Sequence, residues 1–170
     1  MPEKEVIIKD TKLKYSGVFD TDRVYRKLLE WFENNEYGAA PNVEKSYLER
    51  ISPGGKTIEV VLEGKKKEEG YFRFELGVKI FGKRIQDTET VIDGNKVKMH
   101  KGDVDLQFSS ALVWNVSDDD KDVFPEASLM KRFYDTFLMR DKLEDAKIEL
   151  YKETMGFIEE MKQFLNLYQL

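Results

Sequence analysis

The run Tyr71-Phe72-Arg73-Phe74-Glu75-Leu76-Gly77-Val78-Lys79-Ile80-Phe81 decides the fold class. Phe72, Phe74, Leu76, Val78 and Ile80 recur at every second residue, with Arg73, Glu75 and Lys79 between them. A helix would scatter those apolar side chains around its axis, whereas a strand lines them up on one face. An apolar sheet face of that kind must be covered by another layer.

The same period extends both ways. Upstream, Thr57 to Glu63 places Ile58, Val60 and Leu62 on one face, and the charged stretch from Gly64 to Gly70 reads as the turn between the two strands. Val43 to Ile51 is a further strand, ended by Ser52-Pro53-Gly54-Gly55. Downstream, Gly82-Lys83 reads as a turn, Arg84 to Ile92 as a more polar strand, and Asp93-Gly94-Asn95 as a hairpin signal. Lys96 to Lys101 is a short strand stopped at Gly102; Asp103 to Val116 is a long one, with Val104, Leu106, Phe108, Leu112 and Trp114 on one face. Val6 to Phe19 begins the series, with Leu13, Tyr15 and Phe19 on its apolar side. Asp20 or Thr21 offers an N-cap for a helix that carries Val24, Tyr25, Leu28, Leu29, Trp31 and Phe32 at helical spacing and stops near Asn34.

Past Pro125 the period becomes helical. Leu129, Met130, Phe133, Phe137 and Leu138 form one stripe; Leu143, Ala146, Leu150, Phe157, Met161, Phe164 and Tyr168 form a longer one. A single helix from Pro125 to Tyr168 would be ~65 Å long, about twice the width of a small domain, so a break is expected near Arg140-Asp141. The expectation is one α+β domain over residues 1–170, a seven-stranded curved antiparallel sheet wrapped around a long C-terminal helix.

Composition narrows the chemistry. The chain has 170 residues and no cysteine, which excludes disulfides, thiolate metal sites and thiol nucleophiles. Its net charge of -5, with both signs interspersed, disfavours nucleic acid as a partner. No apolar run approaches the ~20 residues that span a bilayer. Met1 to Asp10 is charged and lacks the apolar core of a signal peptide, so the expected location is cytoplasmic.

This order of elements resembles the START-like helix-grip superfamily, which includes polyketide cyclases, plant pollen-allergen proteins and lipid-transfer domains. The likeness covers nearly the whole chain. It rests on the first strand with its Asp20 to Asn34 helix, the turns at Pro53-Gly54-Gly55 and Asp93-Gly94-Asn95, the long last strand ending at Trp114, and the amphipathic terminal helix. The segment Phe133 to Arg140 and the ending Phe164 to Tyr168 look like uncharacterised archaeal members. The family's usual second short helix is reduced here to a loop around Tyr37 to Pro41, and the helical stretch Pro125 to Met139 is an addition. The resemblance implies a cavity between sheet and terminal helix holding a hydrophobic small molecule or lipid; no cofactor is expected.

Tyr15, Tyr47, Phe74, Phe108, Ser110 and Trp114 are the expected wall on the sheet side, with Phe157 and Met161 on the helix side. An aromatic wall with few polar groups suits an apolar ligand; the same residues serve equally as packed core. Asp87 and Glu89 share a face with Ile85 and Val91, so either these acids or Gln86, Thr88, Thr90 and Ile92 face inward. A ligand-filled cavity would satisfy such groups; a bulged or edge strand with both faces wet needs none. If the strands carrying Lys12, Asp105 and Lys98 are neighbours in that order, charge alternates across the outer face. His100, the only histidine, reads as a turn residue rather than a base. Ser117 to Asp122 lacks the ligand pattern of an EF-hand. Gly54-Gly55-Lys56 lacks the rest of a phosphate loop.

Three functions remain open at this point. The first is non-catalytic binding or transfer of a hydrophobic small molecule or lipid, which asks for a cavity of at least ~300 Å³. The second is protein interaction, co-chaperone-like or as a homodimer, through helix 125–139 or a strand edge; that basic amphipathic helix also suits a membrane surface. The third is a cyclase or hydratase with Asp87 or Glu89 as acid/base, which asks for a buried acid with a polar partner.

Overall fold

The structure is a computed structural model that describes residues 3–68, 71–116, 129–134 and 139–169. In chain order the elements are β1 (Glu3–Phe19), α1 (Thr21–Asn34), α2 (Ala40–Val43), β2 (Glu44–Ser52), β3 (Gly55–Glu68), β4 (Phe72–Ile92), β5 (Asn95–Trp114), α3 (Leu129–Phe133) and α4 (Arg140–Asn166), closed by a 3₁₀ turn at Leu167–Gln169. The strands make one antiparallel sheet ordered β1-β5-β4-β3-β2.

The sheet has five strands, not seven. Gly82-Lys83 and Gly102, expected to end strands, instead face each other inside one long hairpin. β4 runs through Gly82 and β5 through Gly102, with a register shift between Lys83 and Gln86 that marks a β-bulge. Arg84 takes a left-handed φ of 54° there, and its guanidinium Nε donates to Asp103 Oδ2 at 3.0 Å. Gly102 is the residue that permits this approach. A Cβ in its place would lie 2.8 Å from the Arg84 carbonyl oxygen and 2.9 Å from that of Lys83. The charged stretch after Gly64 is corrected similarly, since β3 continues to Glu68 and pairs with Phe72 to Leu76. Gly64 is inside the strand because a Cβ would meet Phe32 Cδ1 at 2.6 Å and Tyr37 Cβ at 2.7 Å. These glycines mark close backbone approach rather than turns.

Two smaller expectations also change, and a third lies largely outside the described residues. The loop after Tyr37 contains a single helical turn, α2, with Pro41 in its first turn. Lys98 and Asp105 lie on the same strand, so the proposed order of signs fails; Lys14 stands opposite Asp105, and Lys98 opposite Glu89. The helical stretch Pro125 to Met139 is described only at α3 and at Tyr134 and Met139, and Ser117 to Asp122 falls outside the described residues.

α1 is capped as the sequence suggests. Asp20 Oδ1 accepts from the Asp22 and Arg23 backbone N–H groups at 3.0 and 3.3 Å. The terminal helix α4 begins at Arg140 and spans 27 residues, ~40 Å. It buries Ala146, Leu150, Thr154, Phe157, Ile158, Met161 and Leu165, one stripe at three- and four-residue spacing. Thr154 Oγ1 donates to the Leu150 carbonyl at 2.7 Å, which satisfies the one polar group in that stripe. No described helix is long and apolar enough to cross a membrane.

The centre of the core is aromatic. The Phe157 ring stacks on Trp31 with centroids 3.9 Å apart, and meets Phe32 and Phe108 edge-on at 5.7 and 5.2 Å. One side chain thus joins α4, α1 and β5. A polar clamp lies beside it. Tyr37 Oη donates to Glu153 Oε2 at 2.9 Å, Lys66 bonds the other oxygen of that carboxylate, and the Lys66 ammonium sits 5.0 Å from the Tyr37 ring centroid. Burial pushes the Lys66 pKa down, but its bonds to Glu153 and Glu68 outweigh this and leave it raised. Tyr37 is raised by burial and then by the Glu153 charge.

Candidate functional site

The rings around Phe157 fill the middle of the space between sheet and terminal helix, and what is left between them near Phe72, Phe74, Lys142 and Glu149 is an open hollow of about 310 Å³. The apolar cavity lies instead at one end of the core, between the first turns of α1 and the inner face of the sheet, and has a volume of about 190 Å³. Its floor is aliphatic: Ile58 and Val60 from β3, Ile80 and Ile85 from β4, Val104 from β5. Phe19 and Val24 close the side toward β1 and α1. The bulge helps to shape it, because Gly82 and Ile85, both lining residues, flank the extra residue of β4.

The rim is different in character. Thr21, Asp22, Tyr25 and Tyr47 stand there. The Tyr25 and Tyr47 rings meet edge-to-face at 6.1 Å, and the Tyr25 hydroxyl donates to Glu44. Burial, then the Glu44 bond and charge, raise the pKa of Tyr25. Tyr47 is raised by burial and by Glu49, with Lys56 opposing and Asp22 and Glu44 adding. Lys56 pairs with Glu49 at 2.6 Å. Thr21 Oγ1 is buried without a hydrogen-bond partner.

The backbone donors at the start of α1 are all engaged. Thr21 N–H donates to His100 Nδ1 at 3.2 Å, Asp20 Oδ1 takes those of Asp22 and Arg23, and Val24 N–H donates to the Asp20 carbonyl at 3.1 Å. With Nδ1 accepting, the neutral His100 carries its proton on Nε2, which lies 3.7 Å from Asp87 Oδ1. His100 therefore serves as part of a helix cap.

Of the ten residues expected to line a cavity, only Tyr47 lines this one. Tyr15, Phe74, Phe108, Phe157 and Met161 are packed in the core. Ser110 is buried, its Oγ unpartnered, and Trp114 packs half-buried against the core, its backbone between Glu3 and Phe72. Asp87 and Glu89 sit on the projecting end of the β4–β5 hairpin, both exposed; the Asp87 side chain is 98% accessible. Neither is a buried acid, so the acid/base arrangement asked for above is not formed there. An open, mixed-polarity hollow of about 500 Å³ adjoins this ribbon between Asp20, Asp87, Lys98 and His100.

Sequence reasoning missed Tyr25, Asp22 and Ile85 as neighbours of the site. A signal for the first two existed: Asp22 and Tyr25 are three residues apart, on the edge of the α1 stripe rather than its centre. Ile85 could be placed only once the bulge was known. Among the described residues, no group of three or more His, Asp or Glu is placed to hold a metal ion. No family model matches this chain, and no curated protein matches it.

Proposed function

We propose that this domain binds a small hydrophobic molecule, non-catalytically, in the cavity between α1 and the sheet. One observation carries the reading: an aliphatic hollow of about 190 Å³ opens under a rim of two tyrosines. Well-packed interiors rarely keep voids larger than a water molecule, and an apolar cavity of roughly 150 Å³ is enough to take a benzene ring. The volume argues for a ring or branched alkyl group in place of the lipid chain considered from sequence, which needs more than ~300 Å³. The START-like resemblance supports a binding role for the sheet's inner face, and a chain without cysteine suits a reducing, cytoplasmic setting.

Indole tests this by thermal unfolding. At a concentration 100 times its Kd, binding stabilises by about 2.7 kcal/mol, or ~5–10 °C in a domain of this size. Val60→Phe, which fills the cavity from β3, should abolish the shift. A shift unchanged in the filled variant would place binding elsewhere and refute the reading.

A second reading is favoured by β2. This edge strand is exposed from Lys45 to Ser52, and Leu48 and Ile51 project 52% and 87% accessible. An edge strand offers unpaired backbone groups to a further strand, which suits a homodimer. Sedimentation equilibrium decides: a dimer dispersed by Ile51→Lys supports it, a monomer at all concentrations excludes it.

A further inference from the structure

We infer that the ligand class of the cavity is a small primary amine, its apolar group among the isoleucines and valines and its ammonium at the rim beside Asp22, Tyr25 and Tyr47. The inference rests on the cavity being a binding site and adds the charge of what it takes.

The argument is one of elimination by partners. Asp22 is the single Asp, Glu, Lys, Arg or His among the lining residues. Its own carboxylate is paired with none of the described cations, whereas its neighbour Asp20 meets Arg23 at 3.8 Å and Glu49 at the same rim is held by Lys56. A helix N-terminus commonly attracts anions through free N–H groups. Here those groups are spent on Asp20 and His100, so an anionic ligand finds no free backbone donor and meets a carboxylate. A neutral ligand fits the floor but makes no use of Asp22, whose exposed carboxylate is then left to solvent. An ammonium is answered three ways. It pairs with Asp22, it donates to tyrosine hydroxyls that burial and neighbouring carboxylates keep protonated, and it lies beside two electron-rich rings. Glu44 and Glu49 add negative potential around the Tyr47 hydroxyl, offset in part by Lys56.

Three probes of one shape separate the charge claim from the cavity claim: 2-phenylethylamine, 2-phenylethanol and 3-phenylpropionate, titrated into the intact chain and followed by methyl chemical shifts. With an exposed ion pair and a cation–π contact in its favour, the amine should bind about three- to thirtyfold tighter than the alcohol, with the acid weakest. Asp22→Asn should close most of the gap between amine and alcohol. The preference should also shrink as salt rises from 50 to 500 mM, since rim charges are screened (~10 Å at 0.1 M). Equal binding of amine and alcohol, tighter binding of the acid, or a preference that survives Asp22→Asn would overturn the amine assignment while leaving the cavity reading intact. Failure of all three probes to move the cavity methyls would overturn both.

Discussion

Phe157→Ala removes the side chain on which the two helices and the sheet converge. The ring is fully buried, stacked on Trp31 at 3.9 Å and edge-on to Phe32 and Phe108. Deleting a buried phenylalanine costs about 3–5 kcal/mol through lost transfer energy and the cavity left behind. Here the upper half of that range applies, because the ring partners sit on two different elements, Trp31 and Phe32 on α1 and Phe108 on β5, that cannot collapse together. Urea slopes for small proteins are about 1–3 kcal/mol/M, so at ~2 the midpoint should fall by roughly 2 M. Tyr151→Ala, on the same helix but half exposed, should move it by less than ~0.3 M, the effect of an ordinary surface change. A Phe157→Ala midpoint within ~0.5 M of the parent, or one matched by Tyr151→Ala, would show that α4 does not seal the sheet through this ring.

Other expectations follow from particular contacts. Tyr37 and Lys66 both have folded pKa values above their unfolded ones, so their stabilisation is complete below about pH 10 and is lost as pH rises through the folded values. The urea midpoint should therefore drop between pH 9 and pH 11, and drop less in Tyr37→Phe; an equal fall in both would remove Tyr37 from the account. Gly156 lies within α4 with open space where a Cβ would go, so Gly156→Ala should raise stability by about 0.5–1 kcal/mol, seen as a higher melting temperature. Gly102→Ala should cost about 1–3 kcal/mol by overpacking against the Arg84 and Lys83 carbonyls; a neutral melt would mean the bulge is less tightly closed than described.

The antiparallel sheet, the capped first helix and the long terminal helix are legible in the sequence because each rests on a local period. The alternation from Phe72 to Ile80 survives as the inner face of β4, and the stripe from Ala146 to Leu165 survives as the buried face of α4. What misleads is glycine. Gly64, Gly82 and Gly102 resemble turn punctuation, yet Gly64 and Gly102 are small because another segment presses on them, and that segment is distant in sequence. Two strands were over-counted for this reason. The polar strand from Arg84 to Ile92 was ambiguous for a related one: after the bulge it leaves the sheet and becomes half of a wet ribbon, paired only with Asn95 to Lys101. The site was illegible on different grounds. Sequence shows that Phe108 and Phe157 face a common interior but not that their rings meet Trp31 and Phe32 and fill it. The vacancy passes to the end of the core, where side chains are aliphatic and the bulge has withdrawn the backbone, and α1 rather than α4 forms its lid.

The cavity is the central claim, and methyl NMR of the isoleucine- and valine-labelled protein titrated with benzene tests it directly. Shifts concentrated on Val24, Ile58, Val60, Ile80 and Ile85, with the methyls of Val6 and Ile51 unmoved, are the result expected. Shifts spread over the surface methyls, or absent from the cavity set at saturating benzene, would contradict it.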